Sequence, residues 1–165
     1  MEVDAISKSE DLLHYVEEFG LFYEQYGLPR TAGRILGWLM VCDPPHQTMY
    51  ELVDALQVSK SSISTASRML MQGEVIERIS LPGQRRDFYR VKENAWIKNW
   101  EMRAQGVTVT MDLVQRGLNL LADDPPEQRA RLEEMQDFFA FLEAEFPLIL
   151  QKYKDQRLVR HTHAP

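Results

Sequence analysis

The stretch TMYELVDALQVSKSSISTASRMLMQGEVIERISLPGQRRDFYRVK, Thr48 to Lys92, decides how this chain folds. Thr48 and Glu51 stand at capping-box spacing, where a hydroxyl and a carboxylate satisfy exposed backbone N–H groups reciprocally, so a helix starts there. Leu52, Val53 and Leu56 supply its buried face. Gln57-Val58-Ser59 reads as a short turn, with Ser59 capping the next helix. In that helix Ile63, Ala66 and Leu70 recur at i, i+3 and i+7, one apolar face. Lys60, Ser61, Ser64, Thr65 and Arg68 fall largely on the other side, and Gly73 is the expected stop. A hairpin follows. Val75 to Leu81 is rich in β-branched and aliphatic residues, and Phe88 to Val91 places Tyr89 and Val91 on one face. Pro82-Gly83 fits the centre of a type II turn, which puts Arg85 and Arg86 at or near the tip. Helix, turn, helix and hairpin, in that order, form the pattern of a winged helix-turn-helix.

Outward from this unit the chain reads as helices. Towards the N-terminus, Ser7 and Glu10 stand at capping-box spacing, so a first helix is expected from Ser7 or Ser9. Leu12, Val16, Phe19, Tyr23 and Tyr26 form its stripe, and Gly27 ends it. Pro29 suits the first turn of a second helix, which carries Ile35, Leu36, Leu39 and Met40 and stops at Asp43-Pro44-Pro45. Gly33 and Gly37 lie four apart on one face, where another helix can approach closely. Towards the C-terminus, a long helix from Asn94 carries Trp100, Val107, Met111, Val114, Leu118 and Leu121. Asp123-Asp124-Pro125-Pro126 breaks it. Asp124 and Glu127 then begin a last helix with Pro125 at its first position. Its stripe is Leu132, Met135, Phe139, Leu142, Phe146, Ile149 and Tyr153, and Pro147 is expected to kink or restart it. The two helices suggest a helical hairpin that packs with the first helix or with a second subunit.

The expected fold is therefore mainly α with a small β-hairpin: a winged helix-turn-helix flanked by long dimerisation helices. The organisation reads as an N-terminal body helix over 1–28, a DNA-binding domain over 29–93, a dimerising hairpin over 94–158 and a flexible tail over 159–165.

Charge separates the central unit from the rest. From Ser59 to Lys92 seven cations face three anions, a net +4, while the whole chain is at −6, so the remainder stands at −10. A positive element on a negative body is the electrostatic footprint of a DNA reader. The overall acidity argues against indiscriminate coating of nucleic acid. No apolar run approaches the ~18 residues needed to cross a bilayer, the N-terminus lacks a signal pattern, and Cys42 is the single cysteine. These features point to a cytoplasmic protein.

A helix that starts with small hydroxyl residues suits entry into a major groove, and a helix N-terminus favours a phosphate. Lys60 is placed for phosphate, with Ser62 and Ser64 beside it. Ser61, Thr65 and Arg68 are candidates for base edges, Arg68 being suited to guanine. The competing explanation is an ordinary solvated polar face. On the hairpin, Arg85 and Arg86 suit a narrow minor groove, and Asp87 is expected to hold one of them; a merely solubilising loop is the alternative.

The run Val58 to Leu70, then Gly73-Glu74-Val75-Ile76-Glu77-Arg78, then Arg85-Arg86-Asp87-Phe88-Tyr89, resembles the MarR superfamily of transcriptional regulators. The run Tyr26 to Leu39 is similar to the GbsR-like branch of that superfamily. The resemblance covers residues 10 to 95, and the C-terminal helices only in general character. It implies a homodimeric winged-helix repressor or activator on a palindromic operator in double-stranded DNA, repression being favoured, and it allows a small-molecule effector. One departure concerns the wing. Many members place an aspartate before the wing arginines, whereas here Gln84 precedes them and Asp87 follows.

Other sites are weaker. Tyr23, Tyr26, Trp38 and Trp96 are candidates for an aromatic effector pocket, against the alternative of core and dimer packing. Cys42 has no Lys or Arg nearby in sequence to activate it as an oxidant sensor. No Cys/His cluster has metal-ligand spacing, and no nucleophile elbow or phosphate loop is present, so neither a metal, a cofactor nor catalysis is expected. The rival to a DNA reader is a winged-helix module that binds protein, a reading that the acidic remainder supports.

Overall fold

A computed structural model describes residues 2–162, with side chains from 10 to 157. The chain divides into two compact units, one ending at Trp96 and the other beginning at Ile97.

The first unit contains α1 (Glu2–Gln25), α2 (Arg30–Val41), β1 (Gln47–Thr48), α3 (Met49–Leu56), α4 (Lys60–Gln72), β2 (Ile76–Ser80) and β3 (Asp87–Val91). Its core joins Val16 of α1, Ile35, Leu36 and Leu39 of α2, Leu52 and Leu56 of α3, Ile63 and Leu70 of α4, and Ile76 and Tyr89 of the sheet. The α1–α2 approach is as close as the glycines suggest. A Cβ on Gly33 would sit 2.4 Å from the Phe19 carbonyl oxygen, and one on Gly37 would sit 2.9 Å from Phe19 Cβ. Arg34 ties three helices together: its Nη2 donates to the Leu56 carbonyl at the end of α3 at 2.8 Å. Its Nε lies 2.7 Å from Glu17 Oε1, an ion pair without hydrogen-bond alignment.

Local signals set the boundaries of the reading elements. Thr48 and Glu51 form a complete capping box at the start of α3. Gln57 ends α3 in the left-handed region at φ 51°, which turns the chain sharply into α4. Ser59 caps α4 by accepting from Ser62 N–H at 3.2 Å. Gly73 ends α4, but at φ −77°; the left-handed residue is Glu74 at φ 58°. In the wing, Gly83 adopts φ 76°, and Gln84 N–H donates to the Leu81 carbonyl at 3.0 Å, closing the turn around Pro82-Gly83.

The second unit is made of α5 (Ala95–Leu120), of which all but the first two residues belong here, and α6 (Pro126–Thr162). They run antiparallel: Lys154 reaches Glu101, Trp100 meets Phe146, Thr108 donates to Glu143, and Gln136 donates to Gln115. Val107, Val114 and Leu118 are buried along the seam.

Several expectations shift. The hairpin is part of a three-stranded sheet in the order β1-β3-β2, because Gln47 and Thr48 pair with Tyr89 and Phe88. The first helix begins at Glu2, so Ser7 lies within it. The last helix begins at Pro126 rather than Pro125, and each proline tolerates such a position because its missing N–H is not needed there. That helix also runs unbroken through Pro147, without the restart that a proline invites, and continues to Thr162 into the stretch expected as a tail. His163 to Pro165 lie outside the described residues.

Candidate nucleic-acid interface

The face of α4 opposite the core is built by its periodicity. Ile63, Ala66, Ser67 and Leu70 are buried, which turns Lys60, Ser61, Thr65 and Arg68 outward. Ser62 and Ser64 sit half-buried on the flanks. The hydroxyls at the helix start form a cluster, with Ser59 Oγ 3.0 Å from Ser61 Oγ and 2.8 Å from Ser62 Oγ. Beside it Pro29, Thr31, Ser61, Ser62, Thr65 and Ala66 line a recess of about 320 Å³. The exposed end of α4 is thus a hydroxylated surface at a helix N-terminus, flanked by cations.

Arg85 and Arg86 are both exposed on the wing, as the turn chemistry predicts. The expected clasp on them is not found among the described residues. Asp87 pairs instead with Arg78 at 3.3 Å and accepts from Ser80 Oγ at 3.4 Å. The register explains this: Asp87 stands opposite Ser80, and Arg78 projects on the same face two residues away, a diagonal cross-strand neighbour. Arg86 lies over the ring of Tyr50, its Cζ 5.9 Å from the centroid, and Lys60 Nζ lies 5.0 Å from the same centroid. Tyr50, in the first turn of α3, was not singled out by sequence. Its one signal is an aromatic on the face of α3 that Leu52 and Leu56 turn away from the core.

The four aromatics expected to line an effector pocket have divergent settings. Tyr23 and Trp38 pack, partly buried, against the core, and Trp38 Nε1 donates to Gln47 Oε1 at 3.5 Å. Tyr26 is 72% exposed, its ring centroid 4.8 Å from that of Phe22, and Trp96 is 48% exposed. Cys42 is half-buried, and burial pushes its thiol pKa up, away from the reactive thiolate. No described helix is long and apolar enough to cross a membrane.

A capped helix with an outward polar face, next to an arginine-bearing wing, defines a winged-helix DNA-binding regulator. Known proteins agree. Residues 94–156 match the family described as MmpR5-like MarR family transcriptional regulators. The chain is 41% identical over 141 residues to the HTH-type transcriptional regulator MmpR5 of Mycobacterium tuberculosis, covering 86% of each chain. A crystal structure described as a transcriptional regulator superposes with a TM-score of 0.81 at 40% identity, covering 88% of this chain and 99% of that one. The HTH-type transcriptional repressor GbsR of Bacillus subtilis is more remote, at 28% identity over 116 residues, 66% of this chain and 62% of GbsR. The chain belongs to the MarR family of transcriptional regulators. Membership favours the DNA-reading expectation over the protein-binding module, and the likeness to MmpR5 exceeds the likeness to GbsR.

Proposed function

We propose that this regulator acts in the cytoplasm as a homodimeric repressor that reads a palindromic operator, with α4 in the major groove and the wing at the flanking minor groove. One observation supports this most. Within residues 10–96, Arg30 and Arg34 are paired by Glu17, Arg78 by Asp87, Arg90 by Glu77 and Lys92 by Glu74. Lys60, Arg68, Arg85 and Arg86 form no ion pair among the described residues, and all four lie on α4 or the wing. Surface cations left without carboxylates on one reading face are available to phosphates and base edges.

In this reading Lys60, Ser62 and Ser64 serve the phosphate backbone. Ser61, Thr65 and Arg68 reach base edges, and Arg85 and Arg86 serve the wing. Residues 29–93 form the reading domain, with 1–28 and 94–158 as the dimerising body. Duplication about a two-fold axis would set half-sites about 34 Å apart, one turn of DNA. The dimer draws support from apolar surface left open on both long helices: Met102, Val109, Leu113 and Leu120 on α5, and Phe138, Phe141, Leu148 and Ile149 on α6. Met102, Val109, Leu113 and Leu120 are spaced by seven, four and seven residues, which puts them on one face of α5, and an exposed apolar face of this kind supports association. Control by a small-molecule effector fits the family; of the aromatic candidates, Tyr23 and Trp38 would offer it a partly buried wall and Tyr26 and Trp96 an open one.

The test is a fluorescence-anisotropy titration on a duplex selected from random DNA by the purified protein. Arg68→Ala is expected to cost about 1–3 kcal/mol and relax preference at one base pair. Arg85→Ala is expected to weaken binding and flatten its salt dependence. Wild-type affinity and slope in both variants would remove α4 and the wing from the interface.

A further inference from the structure

A recess of about 250 Å³ opens where the starts of α3 and α4 meet the wing, walled chiefly by Tyr50, Lys60, Arg78, Arg86, Asp87 and Tyr89. Its charge is unbalanced. Asp87 is engaged by Arg78 at 3.3 Å. The Glu51 carboxylate, which also feels Arg86, is held by the Thr48 N–H at 2.6 Å. Lys60 and Arg86 therefore face the same recess with no ion-pair partner among the described residues. What holds them is one ring. Lys60 Nζ lies 5.0 Å and Arg86 Cζ 5.9 Å from the Tyr50 centroid. The two charges are at most about 11 Å apart, the sum of those distances, and they repel. The negative face of the ring offsets part of that repulsion. An anion between them would offset the rest. Tyr50 is 57% exposed, so its ring is open to solvent at the mouth of the recess.

We infer that Tyr50, Lys60 and Arg86 form one seat for a single phosphodiester of the DNA backbone, with Tyr50 as the positioning residue. The seat rests on the DNA-reading function proposed above. It joins the reading helix to the wing at one phosphate, so docking fixes the wing relative to the helix. It also divides the two wing arginines. Arg86 is held back at the backbone, and Arg85, with no such ring contact among the described residues, is left to reach past the tip. Because the seat is organised before DNA arrives, less side-chain freedom is lost on binding.

The experiment measures affinity against salt for the full chain on its selected duplex. Each phosphate neutralised contributes about 0.9 to the slope of log K against log salt. If Lys60 and Arg86 share one phosphate, the double variant Lys60→Ala/Arg86→Ala lowers the slope by about 0.9. If they contact two, it falls by about 1.8. Tyr50→Ala is expected to reproduce the affinity loss of Arg86→Ala and to add little to it when the two are combined, because coupled residues are not additive. Tyr50→Phe, which keeps the aromatic face, is expected to restore wild-type binding. A fall of about 1.8, or a folded Tyr50→Ala with unchanged affinity, overturns the seat. A second arm adds inorganic phosphate at constant ionic strength. If it raises the melting temperature of the wild type but not of the double variant, while the DNA slopes stay equal, the recess holds a free phosphate and the inference fails. Arg68→Ala separates the two levels. If it weakens binding while the Tyr50 set does not, the seat falls and DNA reading stands. If the wild type selects no duplex at all, the functional reading falls first.

Discussion

The two units differ in how much of their apolar surface they enclose. Up to Trp96, helices from both sides and a small sheet enclose a core in which Ile35, Leu36, Leu52, Leu56, Ile63 and Ile76 are all but inaccessible. What that unit leaves open on α4 and the wing is hydroxylated and cationic. From Ile97 onward, among the described residues, only Val107, Val114 and Leu118 are buried hydrophobics, while Phe138, Phe141, Leu113 and Leu120 stand in solvent. Two helices touch along one seam, so each keeps a free face; a bundle encloses a core only when more helices join. The first unit closes a core of its own, although α1 leaves Leu21 and Phe22 open, whereas the second, taken by itself, leaves most of its large apolar residues open. A stripe of apolar residues therefore says that a face is covered, but not by what.

The most severe way to break this contrast is to charge the open face. Phe138 and Phe141 are 58% and 60% exposed, so Phe138→Glu/Phe141→Glu removes little of the protomer's own packing beyond the edge contact of Phe138 with Phe139. Aromatic anchors at an interface are worth about 2 kcal/mol or more each. The double variant is expected to sediment as a monomer and to lose at least about 100-fold in DNA affinity, with helix content retained. Phe139 and Leu142, half-buried on the seam, are poorer targets because charging them also damages the hairpin. A double variant that remains a full-affinity dimer would mean that the exposed stripe is not the association face, and the second unit would have to be stable by itself.

A gentler comparison makes one substitution in each unit. Gly33→Ala drives a Cβ into backbone, 2.4 Å from the Phe19 oxygen and 2.9 Å from Gly20 Cα, and neither atom can rotate away. Gly117→Ala meets only the tip of Leu132, at 2.8 Å. The first is expected to cost about 1–3 kcal/mol in denaturant unfolding. The second is expected to be close to neutral, since a small side-chain adjustment is offset by up to about 1 kcal/mol of helix propensity. Equal costs would erase the distinction between a backbone-packed unit and a side-chain-packed one.

What was legible in the sequence was local. The Thr48–Glu51 box, the Ser59 cap, the Pro82-Gly83 turn and the Gly33/Gly37 approach each need only a few residues to state their geometry, and each is found in the structure. What stayed hidden depends on distant partners. Strand β1 is two residues long and exists only because β3 offers it an edge. Asp87 chose Arg78 over its sequence neighbours because strand register outranks adjacency. The exposed stripe Met102, Val109, Leu113 and Leu120 is masked in sequence by the stronger buried one of Val107, Val114 and Leu118 on the same helix. At the interface, Arg85 and Arg86 read identically until Tyr50 separates them. Ser67 looks like its hydroxyl neighbours on α4, yet it is buried with its hydroxyl unpartnered among the described residues.

The smallest effect probes the same contrast through two carboxylates. Glu51 in the first unit and Glu101 in the second are both held below the usual glutamate range, for different reasons. Glu51 is lowered mainly by the backbone N–H of Thr48, which it accepts at 2.6 Å. Glu101 is lowered mainly by the ammonium groups of Lys154 at 2.8 Å and Lys98 at 3.2 Å. In each case the folded pKa lies below the unfolded one. The stabilisation is thus fully present above the ordinary glutamate range and lost as pH falls through the folded value. Salt separates the two. At about 1 M the Debye length is near 3 Å, which weakens exposed lysine–carboxylate pairs but leaves a fixed backbone dipole in place. A carboxyl NMR titration is expected to show Glu101 returning towards the ordinary range in high salt while Glu51 stays low. If Glu51 moved as far as Glu101, its carboxylate would be answering to mobile charges such as Arg86, and the cap that fixes α3 beneath the wing would be looser than its geometry states.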